Sequence, residues 1–251
     1  MSLVDGQSAA RHTYRIRLKR RDFLMKTRML LPALGAATIL VGSAEADHLT
    51  YYTVDFAELN ESNVTGNAVL IVDSNENTLQ VDIQANGLEP HQDHLMHIHG
   101  RFDGEGDPAD SFTPTLADDA DGDGFVEVLE GLPQYGDILL PLATQNDATG
   151  NIAYRQSFDL TDDSLFFSPV SGNDYAASDI FPLNFREIVI HGKTVATGIG
   201  TGTGGSVDGS GGYKLTLPVA AGEIVGAPVP EPASLALLAM GGLMLARRRR
   251  G

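Results

Sequence analysis

A two-residue rhythm runs through the middle of the chain and constrains its fold more than any other feature. YYTVDFAEL (51–59), GNAVLIVDS (66–74) and TLQVDIQA (78–85) alternate apolar and polar residues. An extended strand sends successive side chains to opposite faces, so this pattern buries one face and wets the other. Asn75-Glu76-Asn77 and the stretch Asn86 to Pro90 supply turns. HLMHIHG (94–100), DILLPL (137–142), IAYRQSFDL (152–160), REIVIHGKTV (186–195) and YKLTLPV (213–219) extend the series, with no long helical period between them. Many short strands separated by turns predict an all-β fold, an antiparallel Greek-key sandwich or barrel. Eight glycines between residues 196 and 212 predict a mobile loop. A strand follows it, so it reads as an insertion.

The two ends do not join this pattern. Residues 25–46 combine a basic start, an apolar run from Met29 to Val41 and a small-x-small site at Ala44-Glu45-Ala46. That is an export signal over 1–46, with cleavage expected before Asp47. Lys19-Arg20-Arg21-Asp22-Phe23-Leu24 resembles a twin-arginine signal. Two routes therefore stay open: twin-arginine export from Met1, or unfolded-chain export from a start at Met25. At the other end, residues 226–251 hold Pro230-Glu231-Pro232, an apolar run from Ala233 to Ala246, and Arg247 to Arg250. This resembles the PEP-CTERM sorting signal of Gram-negative bacteria. The resemblance implies recognition by an exosortase-type enzyme and a short membrane segment before processing. It also implies a place in the cell envelope, on the surface or in an exopolysaccharide matrix. A plain tail anchor is the alternative; either way the folded part, 47–225, lies outside the cytoplasm.

Charge narrows the partners. Between residues 47 and 246 only Arg101, Arg155, Arg186, Lys193 and Lys214 stand against 30 acidic residues, a formal −25. Such a surface repels nucleic acid, whose phosphates need Lys and Arg. The chain has no cysteine, which excludes disulfides and thiolate metal sites.

Four of the seven histidines are His91, His94, His97 and His99. In a strand His97 and His99 share a face, and two imidazoles joined by a third suit copper or zinc. His191 in IVIHG is the natural third; His91 and His94 lie on the approach. The stretch GLEPHQDHLMHIHG resembles the Gly-Leu-x-Pro…His-x-x-His-x-His region of copper/zinc superoxide dismutases and related CHRD domains. REIVIHG resembles a later dismutase strand bearing another copper ligand. The resemblance implies copper on His97, His99 and His191, and a dismutase-like fold. The chain departs from it in three ways. No histidine occurs between residues 100 and 190, the paired cysteines are missing, and Lys214 stands only loosely where a substrate-guiding arginine belongs. No zinc site and no efficient superoxide dismutation are expected. The histidines remain open to two readings, a copper site or relics hydrogen-bonded in the core.

DADGDGFVEVLE (119–130) matches an EF-hand calcium loop by position. Asp119, Asp121 and Asp123 stand at positions 1, 3 and 5, and Gly124 at 6. The Phe125 carbonyl falls at 7, Glu127 at 9 and Glu130 at 12. Calcium wants six to eight oxygens, and five carboxylates this close otherwise repel one another. Pro114 and Gly131-Leu132-Pro133 are expected to break the flanking helices. DGEGDPAD (103–110) reads as a turn. The chain is thus expected to be an exported, calcium-binding surface or matrix domain without enzymatic activity. The alternative is a copper-binding redox protein using His97, His99 and His191.

Overall fold

The computed structural model describes residues 48–228. The export signal and Pro230-Glu231-Pro232 lie outside the described residues. In chain order the strands are β1 (Leu49–Asp55), β2 (Ala57–Glu58), β3 (Thr65–Asp73), β4 (Thr78–Asn86), β5 (His94–Phe102) and β6 (Pro108–Ala109). One helix, α1 (Val128–Tyr135), precedes β7 (Asp137–Gln145), β8 (Asn151–Asp159), β9 (Arg186–Val195), β10 (Gly212–Glu223) and β11 (Val225–Ala227). They form two antiparallel sheets. One has the order β11-β1-β3-β4-β8; the other runs β2-β10-β9-β5, with β6 and β7 both pairing β5. All eight alternating segments are strands, and the fold is an all-β sandwich. β8 returns to lie beside β4 after the chain has crossed into the other sheet. β11 pairs with β1 and carries the first sheet past residue 225.

The alternation produces the core directly. Leu70, Leu79, Val81 and Ile83 of the first sheet pack with Met96, Ile98, Leu140, Ile188 and Ile190 of the second. Each such side chain contributes about 1.5–3 kcal/mol when fully buried. Because Met96, Ile98, Ile188 and Ile190 face inward, the residues between them face outward. Leu95, His97, His99, Glu187, Val189 and His191 therefore share the outer face of the second sheet, which α1 and two loops cover. DGEGDPAD is a hairpin turn: Asp103 Oδ1 accepts from the Glu105 and Asp107 amides, and β6 pairs with β5.

Two expectations need correction. Gly131-Leu132-Pro133 does not break the helix after the acidic loop; α1 runs through all three. Pro133 sits late in an eight-residue helix, which Gly136 ends at φ 82°. The buried ring of Tyr135 holds that last turn against the sheet. On the other side of the loop the expectation fits, because Leu116–Asp118 form a single 3-10 turn and no α-helix. The glycine-rich segment is likewise not a free excursion. Val207 is fully buried in a small cluster with Val195 and Leu217, and Gly198 N–H donates to the Gly209 carbonyl at 2.9 Å.

Candidate metal centre

His97 and His99 lie on one face of β5, as their spacing requires, and β9 brings His191 beside them. Opposite His97 on β9 is Val189, so His191 is its diagonal neighbour. All three are buried. Their ring centroids are 5.1 Å (His97–His191), 5.5 Å (His97–His99) and 6.2 Å (His99–His191) apart. One ligand atom from each lies within 4.8 Å of the other two.

The rings are aimed by the backbone. His99 Nδ1 is 3.0 Å from the Gly136 carbonyl, and His191 Nδ1 is 2.7 Å from that of Thr216. A ring nitrogen facing a carbonyl must carry the proton, so each Nε2 bears the lone pair. His191 Nε2 points at His97 Nδ1, 3.3 Å away, while His99 Nε2 is buried with no partner. Pro218 lies opposite His191, and the β9–β10 ladder is irregular on both sides of it. With no N–H at Pro218 the ladder is interrupted, and the nearby Thr216 carbonyl turns to the imidazole.

Burial keeps the rings neutral. It lowers His97 to about 2, helped by His191 and His99. It lowers His99 to about 3, with His191 adding to it and the Gly136 carbonyl and Asp137 opposing it. His191 falls to about 4, against the pull of the Thr216 carbonyl. Three neutral imidazoles, two of them with the other nitrogen tied to a carbonyl, form the donor set that copper or zinc takes. His94 and His91 do not join them. His94 places Nδ1 2.9 Å from the His191 carbonyl and Nε2 3.0 Å from the Glu89 carbonyl, which steadies the backbone that carries His191. His91 is exposed at a turn with φ 60°.

Two buried neighbours on this face escaped the sequence reading. The ring of Tyr135 packs edge-on against His99 at 4.6 Å, and its hydroxyl donates to the Val128 carbonyl. Glu187, directly opposite His99 across the strands, is fully buried. It accepts from Thr113 Oγ1 at 2.5 Å and leaves Oε2 unpartnered. Burial, with Glu223 nearby, pushes its carboxyl up to about 8. An acid inside the apolar run REIVIHG, in phase with His191, was the signal that could have found it.

The acidic loop is built differently. Asp119 Oδ1 and Oδ2 accept from the Gly122 and Gly124 amides at 2.7 and 2.9 Å, and Asp123 Oδ1 accepts from Phe125 N–H at 2.8 Å. Carboxylate oxygens of Asp119, Asp121 and Asp123 lie within 4.8 Å of one another. Burial raises the Asp123 carboxyl, as do Asp121, Glu127 and Asp119, against the Phe125 amide. Its Oδ2 is buried and unpartnered. Glu130 accepts from the amides of Ala120, Asp121 and Glu127. Glu127 acts on Asp123 through its charge but is bonded elsewhere. Its Oε1 accepts from Ser206 Oγ and Val207 N–H, so it anchors the glycine-rich loop. The structure thus gathers Asp119, Asp121 and Asp123. Glu127 and Glu130 engage protein donors.

The charged side chains that could steer an anion are already held. Lys214 pairs with Asp208 at 3.3 Å. Lys193 donates to the Asn60 and Glu61 carbonyls. Arg186 is buried over Phe102 and donates to the carbonyls of Asp179 and Arg101.

Among known protein families, the PEP-CTERM protein-sorting motif matches residues 228–250. The chain carries an exosortase sorting signal. It is therefore an exported protein, handled by an exosortase-type enzyme and sent to the envelope or surface of a Gram-negative bacterium. The match begins one residue after β11 ends, so the last strand leads straight into the sorting motif. No curated protein matches the chain. Among the described residues no helix is long and apolar enough to cross a membrane. The apolar run Ala233 to Ala246, assigned to the membrane from sequence, lies outside them.

Proposed function

We propose that this exported, sorted β-domain is a metal-binding module of the cell envelope, with copper held by His97, His99 and His191. One observation carries the reading: three buried imidazoles converge, and backbone carbonyls fix the tautomer of two of them. Histidines kept only for packing would have both ring nitrogens satisfied, whereas His99 Nε2 is buried without a partner beside the other two rings. Bound there, copper would supply one-electron chemistry or a Lewis-acid position. The domain's own residues would exclude water and hold the ligand lone pairs in place. The set is suited to holding copper, and superoxide dismutation is not part of the proposal. No histidine occurs between residues 100 and 190 to bridge a zinc, and no Lys or Arg lines the cavity over the rings. The dismutase-like and CHRD-like resemblance supports the copper ligands only.

A second ion reading rests on a separate observation. Asp119, Asp121 and Asp123 converge, with one buried carboxylate oxygen unpartnered, which favours calcium on the acidic loop. The Phe125 carbonyl, Glu127 and Glu130 would complete it by exchanging their present partners.

Elemental analysis of the protein purified without chelators, followed by copper and calcium titration, tests both readings. One copper per chain, lost in His97→Ala, supports the first. Calcium without copper leaves a calcium module alone. Retention of neither ion would end both assignments.

A further inference from the structure

This inference rests on the copper reading and concerns what reaches the metal. A cavity of about 480 Å³ opens over the three imidazoles. Leu95, Ile138, Pro169, Val170, Val128 and Leu129 form its walls. Polar groups are confined to the three rings, Glu127, Ser206 and Thr216. The walls are built into the fold. Asp137 accepts hydrogen bonds from Ser168, Ser171, Asn173 and Tyr175, which fixes the arch bearing Pro169 and Val170. Glu127 fixes Ser206 and Val207 on the other side. Two large apolar side chains, Leu129 and Val170, remain 71% and 66% exposed.

An apolar cleft with a few convergent polar groups is the usual form of a small-molecule site. Three protein ligands leave a metal with an open position, so an occupant needs one donor atom at its inner end. None of the five Lys and Arg of the domain lines the cavity, and the surrounding net charge is strongly negative, which disfavours an anionic ligand. A neutral hydroxyl suits this best. Phenols ionise near pH 10, and a metal ion lowers such values further. A phenol can therefore enter neutral, bind through oxygen and release its proton to solvent. We propose that the cavity takes a neutral alkyl-substituted phenol, its hydrocarbon part against Val170, Leu129 and Ile138 and its oxygen toward the histidine-held metal.

The test uses the full-length, copper(II)-loaded protein and a series of phenol, 4-ethylphenol and 4-butylphenol, followed by the phenolate-to-copper absorption band. Affinity is expected to rise about fourfold for each added carbon. In Val170→Asp and Leu129→Asp, both altered at exposed positions, that gain should shrink by about tenfold for 4-butylphenol. Copper content in every sample separates the two layers of the argument. A series that stays flat in protein holding one copper overturns the phenol proposal and leaves the metal centre standing. Protein that takes up no copper overturns the metal reading, and the phenol proposal falls with it.

Discussion

The two candidate ion sites are close in space and opposite in construction. The histidine site is drawn from two adjacent strands, is buried, and has its ring tautomers fixed by the Gly136 and Thr216 carbonyls. Two of its three rings are aimed before any ion arrives. The acidic site is drawn from one loop, and its carboxylates occupy themselves with the loop's own amides. A strand-built site has little ordering entropy left to lose; a loop-built site must rearrange Glu127 and Glu130 to gain their oxygens. With the proposed ions, the histidines would bind tightly and selectively and the aspartates weakly and adjustably. Glu127 joins the two, since it belongs to the acidic loop by sequence and to the cavity wall by contact.

Acid should separate the sites most sharply. The three imidazoles are held at about 2, 3 and 4, below the ordinary 6.5. Unfolded histidines take up protons below 6.5 while the folded ones stay neutral. The stability they supply is thus present above pH 6.5 and is lost as pH falls toward 4. The slope is on the order of 1 kcal/mol per pH unit for each group. Glu187 acts in the opposite direction. Its folded value of about 8 lies above the ordinary 4.5, so its contribution is complete below 4.5 and is lost as pH rises toward 8. Urea midpoints of the copper-free protein are expected to fall steeply from pH 6.5 to 4.5 and gently from 6.5 to 8. Glu187→Gln should flatten the gentle limb and steepen the acid one, because Glu187 titrates across 4.5 to 8. A midpoint that is constant between 6.5 and 4.5 would break the contrast, because the histidines would then not be dry.

Removing a single imidazole comes next in size. His191→Ala should lower copper affinity by well over the ~100-fold that loss of a mere supporting residue costs, measured by competition against a chelator. The same change should leave calcium affinity untouched. A drop of less than tenfold would mean that His191 is not a ligand and that His97 and His99 act without it.

Glu127 provides the sharper test of how the regions connect. Glu127→Ala leaves the buried Val207 N–H without an acceptor, a loss of about 2 kcal/mol. Denaturant unfolding should read that loss, and hydrogen exchange at Val207 should accelerate with it. Glu127→Gln keeps an acceptor oxygen and should recover most of the difference. If neither variant moves Val207, the glycine-rich loop is held by its own turns and the two sites are independent.

The strands and the pairing of His97 with His99 were legible because side-chain alternation depends on local sequence. His191 was legible for the same reason, since it is the one histidine in the apolar strand REIVIHG. What could not be read depends on contacts distant in sequence. α1 runs through Pro133 with Tyr135 packed on His99 at the outer face of the second sheet, and no local signal encodes that contact. Glu127 fits an EF-hand position by spacing, yet it is buried against Val207, eighty residues on. The eight glycines suggested mobility, but Val207 among them is an apolar anchor whose pocket forms only when Val195 and Leu217 meet. His94 resembled an approach ligand by spacing and proved to be a brace between two carbonyls.

The smallest expected effect concerns the acidic loop itself. A single unpaired loop of this kind belongs with extracellular calcium modules, whose dissociation constants are ~10⁻⁴ to 10⁻³ M. At 10 mM calcium that affinity stabilises the folded state by about 1–3 kcal/mol through mass action alone. Thermal melting with and without calcium should show a rise of a few degrees, absent in Asp119→Ala, and magnesium should reproduce little of it because it loses its water reluctantly. Asp119 is the informative position, because its two oxygens also hold the Gly122 and Gly124 amides that shape the loop. If calcium raises the melting temperature equally in the variant, the ion is binding elsewhere on a strongly acidic surface. If calcium also protects Val207 from exchange less well than in its absence, Glu127 has moved from the glycine-rich loop to the ion. The weak site would then control one wall of the cavity above the strong one.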